Sequence, residues 1–119
     1  MDTPAKLDFV RRYLQALSEG DLSTVKGFFD EKSTFEDPYG GRRLEGVERI
    51  GAFYQKVFTQ GVSAKQTGEA HCCGDSVAVP YRAAVGKAQI DVITVFQFAD
   101  NGKLQSMRAY WGPENMTTA

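Results

Sequence analysis

Asp37, in the stretch Ser33-Thr34-Phe35-Glu36-Asp37-Pro38-Tyr39-Gly40, is the residue best placed to do chemistry in this chain. Pro38 disfavours the helical region for Asp37, and Thr34 and Phe35 favour extended structure, so the stretch reads as a short strand ending in a turn. Alternation along a strand puts Phe35 and Asp37 on one face and Glu36 on the other. With Phe35 in the core, the Asp37 carboxylate stands beside apolar walls, the setting of a general base. A plainer reading of the same residues makes Asp37 a turn cap before Pro38. Tyr13 and Tyr54 each fall within an apolar helical stripe, and Thr94 lies among bulky apolar residues of a strand. Their hydroxyls need partners once buried, and a backbone carbonyl would serve. Facing one another across an apolar cavity, a carboxylate base and hydroxyl donors suit removal of a proton beside a carbonyl. The base takes the proton and the donors stabilise the enolate oxygen.

These side chains require helices followed by strands to position them. Thr3-Pro4 predicts a helix start, with Thr3 as the capping hydroxyl. Leu7, Val10, Tyr13, Leu14 and Leu17 then recur at helical spacing up to Gly20. Asp21 caps a second, shorter helix carrying Leu22, Val25, Phe28 and Phe29 inward. After a turn at Tyr39-Gly40-Gly41 and a short extended return through 42–45, Gly46 leads into a third helix. Its apolar face comprises Val47, Ile50, Phe53, Tyr54, Val57 and Phe58. The pattern then switches to strands over 63–70, 76–85, 88–99 and 103–112, separated by turns at Cys73-Gly74-Asp75, Gly86-Lys87 and Asp100-Asn101-Gly102. Helices first and antiparallel strands second indicate one α+β domain over 1–119, with the helices packed on one face of the sheet.

In the strand Ile90 to Phe98 the even positions Ile90, Val92, Thr94, Phe96 and Phe98 form the more hydrophobic face and point to the core. The odd face, with Asp91, Ile93, Val95 and Gln97, is too apolar for open water and predicts a subunit interface. Met107, Ala109 and Trp111 share a face in the last strand, opposite Arg108 and Tyr110.

Composition narrows the function classes. The chain has 119 residues, 42% hydrophobic and 24% charged, with a net charge of -1. Phosphate binding needs an excess of Lys and Arg, so nucleic acid is not the expected partner. No apolar run reaches the roughly 18 residues of a membrane span, and the N-terminus lacks a signal-peptide core. A soluble cytoplasmic protein is expected. Adjacent Cys72 and Cys73 point to opposite faces of an extended segment and make poor partners for each other. Eight Phe, five Tyr and one Trp predict large apolar walls around a core or a cavity. His71-Cys72-Cys73 has no second ligand pair at zinc-like spacing, and no Gly-rich phosphate loop or nucleophile elbow exists. Arg11-Arg12 and Arg42-Arg43 read as solvated pairs.

Five pieces of the sequence carry a family resemblance: Arg12-Tyr13-Leu14, Gly20-Asp21-Leu22, Thr34 through Gly40, Ala52-Phe53-Tyr54, and Ser106-Met107-Arg108-Ala109-Tyr110-Trp111. In that order, and with a match running from Thr3-Pro4 to Glu114-Asn115, the chain resembles the Δ5-3-ketosteroid isomerases of the nuclear-transport-factor-2-like superfamily. The resemblance implies a cone-like α+β fold, three N-terminal helices on a strongly curved, mainly antiparallel sheet. It implies a homodimer acting on a small hydrophobic steroid, with no cofactor or metal. By the same resemblance, Asp37 carries a proton from carbon 4 to carbon 6, Tyr13 is the oxyanion-hole phenol, and Tyr54 supports Tyr13. Leu17, Phe53, Val79, Tyr81, Met107 and Trp111 are then expected to line the cavity.

One position departs from the family pattern. Ketosteroid isomerases are known for a protonated Asp as second oxyanion donor, and this chain has Thr94 in that place. Thr94 is expected to serve as the second donor, needing no raised pKa to keep its proton. Two other readings remain. A related cyclase or dehydratase could use Asp37 on another carbonyl substrate, although scytalone-dehydratase-like chemistry wants paired histidines and limonene-epoxide-hydrolase-like chemistry wants an Asp-Arg-Asp set. A non-catalytic binder of small hydrophobic molecules would keep the cavity but needs no base.

Overall fold

A computed structural model describes residues 1–118. The helices α1 (Thr3–Glu19), α2 (Leu22–Gly27) and α3 (Val47–Phe58) cover one face of a curled, open sheet, as the sequence predicts. Its strands are β1 (Thr34–Glu36), β2 (Arg43–Glu45), β3 (Val62–Gln66), β4 (His71–Cys73), β5 (Ser76–Val85), β6 (Ala88–Phe98), β7 (Leu104–Tyr110) and β8 (Met116–Thr118). The order is β2-β1-β7-β6-β5-β3, with β4 also on β5 and β8 also on β6. All pairings are antiparallel except β1 with β7, which run parallel. No helix among the described residues is long and apolar enough to cross a membrane.

Local chemistry explains the ends of these elements. Asp2, not Thr3, caps α1: its carboxylate accepts from the Ala5 N–H at 2.9 Å. Leu7 lies at the edge of the apolar stripe and is 44% exposed, whereas Phe9, Val10, Tyr13, Leu14, Ala16 and Leu17 are buried. Asp21 caps α2 as expected, accepting from the Thr24 N–H at 3.1 Å. Phe28 and Phe29 are buried just beyond the end of α2, not within it. The third strand stops at Gln66 instead of continuing to residue 70. Thr67 N–H donates to the Pro80 carbonyl at 3.1 Å, but Pro80 has no N–H to return, so the ladder breaks there. The strand β4 takes up pairing with β5 beyond that break, through His71 opposite Ala78.

Strand parity follows the sequence closely. Val92, Thr94, Phe96 and Phe98 are buried on the inner face of β6, while Ile93 is 52% exposed on the outer face. Asp91 pairs with Arg82 at 2.8 Å on the outside. Met107 and Ala109 face inward from β7, and Phe35 from β1 is fully buried.

Ser33, also fully buried, fastens the start of β1. Its hydroxyl donates to the Leu104 carbonyl at 2.6 Å and accepts from the Asp30 N–H at 2.9 Å. Replacing Ser33 by Ala removes both bonds and leaves buried partners unmet. Urea denaturation of Ser33→Ala is expected to show a stability loss of about 1–3 kcal/mol. An unchanged midpoint would show that this hydroxyl does not hold β1 against β7.

Candidate active site

A cavity of about 590 Å³ opens between α3 and the inner face of the sheet. Two periodicities build it. Along α3, Arg49, Phe53 and Val57 recur every four residues and share a face, with Ala52, Tyr54 and Lys56 alongside. Along β5, Tyr81, Ala83 and Val85 alternate inward, as do Ala88, Ile90 and Val92 along β6. Tyr13 and Leu17 close it from α1, and Trp111 from beyond β7. Asp37 is the one acid among the described lining residues.

Asp37 follows β1, so the parallel pairing of β1 with β7 brings it beside the residues after β7. The Trp111 indole N–H donates to the Asp37 carboxylate at 2.7 Å. Burial pushes the Asp37 pKa up from its ordinary value, while the Trp111 hydrogen bond and the nearby Arg42 charge oppose that rise. Arg42 donates to the Asp37 carbonyl at 3.2 Å and lies over the Phe53 ring at 4.8 Å. The cavity thus holds a half-buried carboxylate with a raised pKa.

The phenols stand deeper. The Tyr13 and Tyr54 hydroxyls lie 2.6 Å apart, and both rings are almost fully buried. Burial raises both phenol pKa values well above normal, so both hydroxyls remain protonated at ordinary pH. A second hydroxyl pair joins Tyr81 to Thr94 at 2.9 Å, and burial likewise raises the Tyr81 pKa.

Of the residues singled out from the sequence, Tyr13, Leu17, Asp37, Phe53, Tyr54, Tyr81 and Trp111 meet around this one cavity. Thr94, Val79 and Met107 do not open on it. Thr94 is 0% exposed and stands one hydroxyl behind Tyr81. Val79 precedes Tyr81 by two residues on β5, lies opposite Thr94 and is fully buried. Met107 backs the phenols, its sulfur 3.7 Å from the Tyr13 oxygen and 3.4 Å from that of Tyr54. Three cations that the sequence pattern did not bring forward, Arg42, Arg49 and Lys56, also line the space. Arg42, expected to be solvated as one of an isolated basic pair, is exposed and also reaches the cavity over the Phe53 ring. Arg49 and Lys56 are seven residues apart on α3, a spacing that puts them on one face.

A half-open apolar cone with one carboxylate and several phenols defines a protein that binds or converts a small hydrophobic molecule. The chain belongs to the SnoaL-like domain family, whose pattern matches residues 10–107, within the nuclear-transport-factor-2-like superfamily. It is 29% identical to the steroid Delta-isomerase of Nocardioides simplex over 110 residues, 90% of this chain and 89% of that protein. It also superposes with a TM-score of 0.90, at 26% identity and over 99% and 98% of the two chains, on SalBIII. That protein is an epoxide hydrolase/cyclase-like enzyme with a role in pyran ring formation in the polyether salinomycin. These relatives support a cyclase- or isomerase-type function.

The indole hydrogen bond stabilises the charged form of Asp37, so its loss must raise the carboxyl pKa further. Carbon-13 titration of the Asp37 carboxyl in Trp111→Phe is expected to show a midpoint at higher pH than in the wild type. A midpoint that stayed or fell would mean that the indole is not what holds the carboxylate down.

Proposed function

We infer that the chain is a steroid isomerase that moves the double bond of a Δ5-3-ketosteroid to the Δ4 position. The observation that carries this reading is a raised-pKa carboxylate, Asp37, sharing an apolar cavity with the neutral Tyr13 phenol. The name of the Nocardioides simplex relative agrees with it. Asp37 takes a proton from carbon 4, and the electron pair left behind makes a dienolate with its charge on the carbonyl oxygen. Tyr13 donates a hydrogen bond to that oxygen, and Tyr54 holds Tyr13 in place. Asp37 then returns the proton to carbon 6, which restores the carboxylate and leaves the conjugated enone. Leu17, Phe53, Val92 and Trp111 supply apolar walls for the ring system. Water excluded by those walls would otherwise weaken every electrostatic contact.

A cyclase-type reading has its own support. Arg42 stands beside Asp37, and the similar SalBIII protein is cyclase-like. There the same carboxylate would act as base on a substrate hydroxyl.

A second copy of this chain fits the outer face of the sheet. Ile93 lies opposite Tyr110 across β6 and β7, Tyr39 stacks on Tyr110 at 5.0 Å, and all three are exposed large apolar side chains. That patch supports a homodimer.

Ultraviolet absorbance during incubation with a β,γ-unsaturated 3-ketosteroid tests the isomerase. The conjugated-enone band is expected to grow with wild type, and Asp37→Asn to slow it by about 10²–10⁴-fold. Growth at equal rates in both would remove Asp37 from its role. No growth in either, with the steroid still bound, would favour the cyclase or a binder. Sedimentation of wild type at twice 13.1 kDa, and of Ile93→Asp at the single mass, is expected for the dimer.

A further inference from the structure

The Tyr81–Thr94 pair leaves one hydrogen unassigned. Thr94 is fully buried, and the residues across from it on the neighbouring strands are Val79 and Ala109, whose side chains offer no acceptor. Among the described residues the one hydrogen-bond partner of the Thr94 hydroxyl is the Tyr81 oxygen, at 2.9 Å. Leaving the Thr94 hydrogen unpaired at full burial would be costly, so Thr94 donates and Tyr81 accepts. Tyr81 then does not use its own hydrogen on Thr94, and Tyr81 lines the cavity with its hydroxyl close to that of Tyr13. Tyr13 is likewise paired, its hydroxyl with that of Tyr54, although there both partners line the cavity.

We propose that Tyr81, oriented by Thr94, is the second hydrogen-bond donor to an oxyanion formed in this cavity, beside Tyr13. This rests on the reading of the cavity as a site of proton removal beside a carbonyl. Tyr81 is the catalytic residue of the pair because it reaches the cavity, and Thr94 is a positioning residue. A hydroxyl that already accepts one hydrogen bond donates its own more strongly, so Thr94 also strengthens Tyr81 as a donor. The geometry is fixed by the β5–β6 ladder, in which Val79 faces Thr94 and Tyr81 faces Val92. Tyr81 and Thr94 are therefore diagonal neighbours on one inner face. Tyr13, Asp37 and Tyr81 all line this cavity, the Tyr13 hydroxyl close to that of Tyr81, so base and donors surround one space.

Two measurements test the assignment, one of them independent of turnover. The first is binding of 2-naphtholate, a flat aromatic oxyanion, followed by absorbance. Tyr81→Phe is expected to weaken it about 10–100-fold, and Thr94→Val less. The second is enone formation: Tyr81→Phe is expected to lower kcat about 10²–10³-fold with KM little changed. In the Tyr81→Phe background, Thr94→Val should then add almost nothing, because it acts through the missing hydroxyl. Thermal unfolding of each variant separates these effects from misfolding, and Tyr81→Phe keeps the buried ring. A wild type that binds no naphtholate, or a Tyr81→Phe that binds it equally well, would overturn the proposal. So would equal losses from Thr94→Val with and without Tyr81. If wild type turns over no steroid while Tyr81→Phe still weakens naphtholate binding, the isomerase reading fails and the oxyanion site stands.

Discussion

Polar groups removed from water must find partners inside, because an unmet hydroxyl or carboxylate in an apolar setting costs several kcal/mol. Around this cavity three side-chain pairs meet that requirement: Tyr13 with Tyr54, Tyr81 with Thr94, and Asp37 with Trp111. Each pair joins different elements, α1 to α3, β5 to β6, and the segment after β1 to the segment after β7. The contacts that make burial tolerable are therefore also the contacts that aim the side chains. Disturbing the packing of any one of these elements would change where a hydroxyl points before it changed how many apolar atoms are buried.

The space itself comes from an uneven distribution of side-chain size along one curled sheet. At one end Phe9 packs edge to face against Phe28, Phe96 and Phe98, with ring centres 4.8–5.0 Å apart. That cluster fills the interior. At the other end the sheet presents Ala83 and Ala88, with Val85 and Val62 beside them, and α3 presents Ala52 across the space. Small side chains facing one another leave room that the curvature of the long strands β5 and β6 cannot close. The aromatic end supplies cohesion, and the alanine end supplies the cavity.

Much of this was legible in the chain. Period 3.6 placed Tyr13 and Tyr54 on inward helix faces and period 2 set Trp111 on one face with Met107 and Ala109, the family resemblance brought in Tyr81, and the Gly86-Lys87 turn marked the β5–β6 hairpin. What escaped was of two kinds. Pairings between distant elements, such as β1 running parallel beside β7, leave no local periodic signal, so the Trp111–Asp37 bond could not be read from spacing. Depth within the cone was the other. Parity puts Val79, Tyr81, Thr94 and Met107 on the inner face alike. It does not say that Tyr81 reaches the open end while Val79, Thr94 and Met107 stand behind it. Counting back from the hairpin turn would have set Thr94 opposite Val79 and diagonal to Tyr81, which was the one available clue to their pairing.

On the proposed reading, the depth of Thr94 changes what a threonine in place of a carboxylic acid means. A carboxylic acid can donate to an oxyanion only while its pKa is held above the working pH, which demands a strongly apolar surround. A phenol held by a buried threonine has no such requirement, since burial pushes the Tyr81 pKa further up from a value already high. With Tyr13, Tyr54 and Tyr81 all kept neutral, Asp37 is the one carboxyl among the described lining residues. On the proposed reading, the donors then keep their hydrogens while the Asp37 carboxylate acts as base, with Arg42, Arg49 and Lys56 the other charged groups lining the space. Such a division lets the donors be tuned by hydrogen bonding alone, while the base is tuned separately by Trp111 and Arg42.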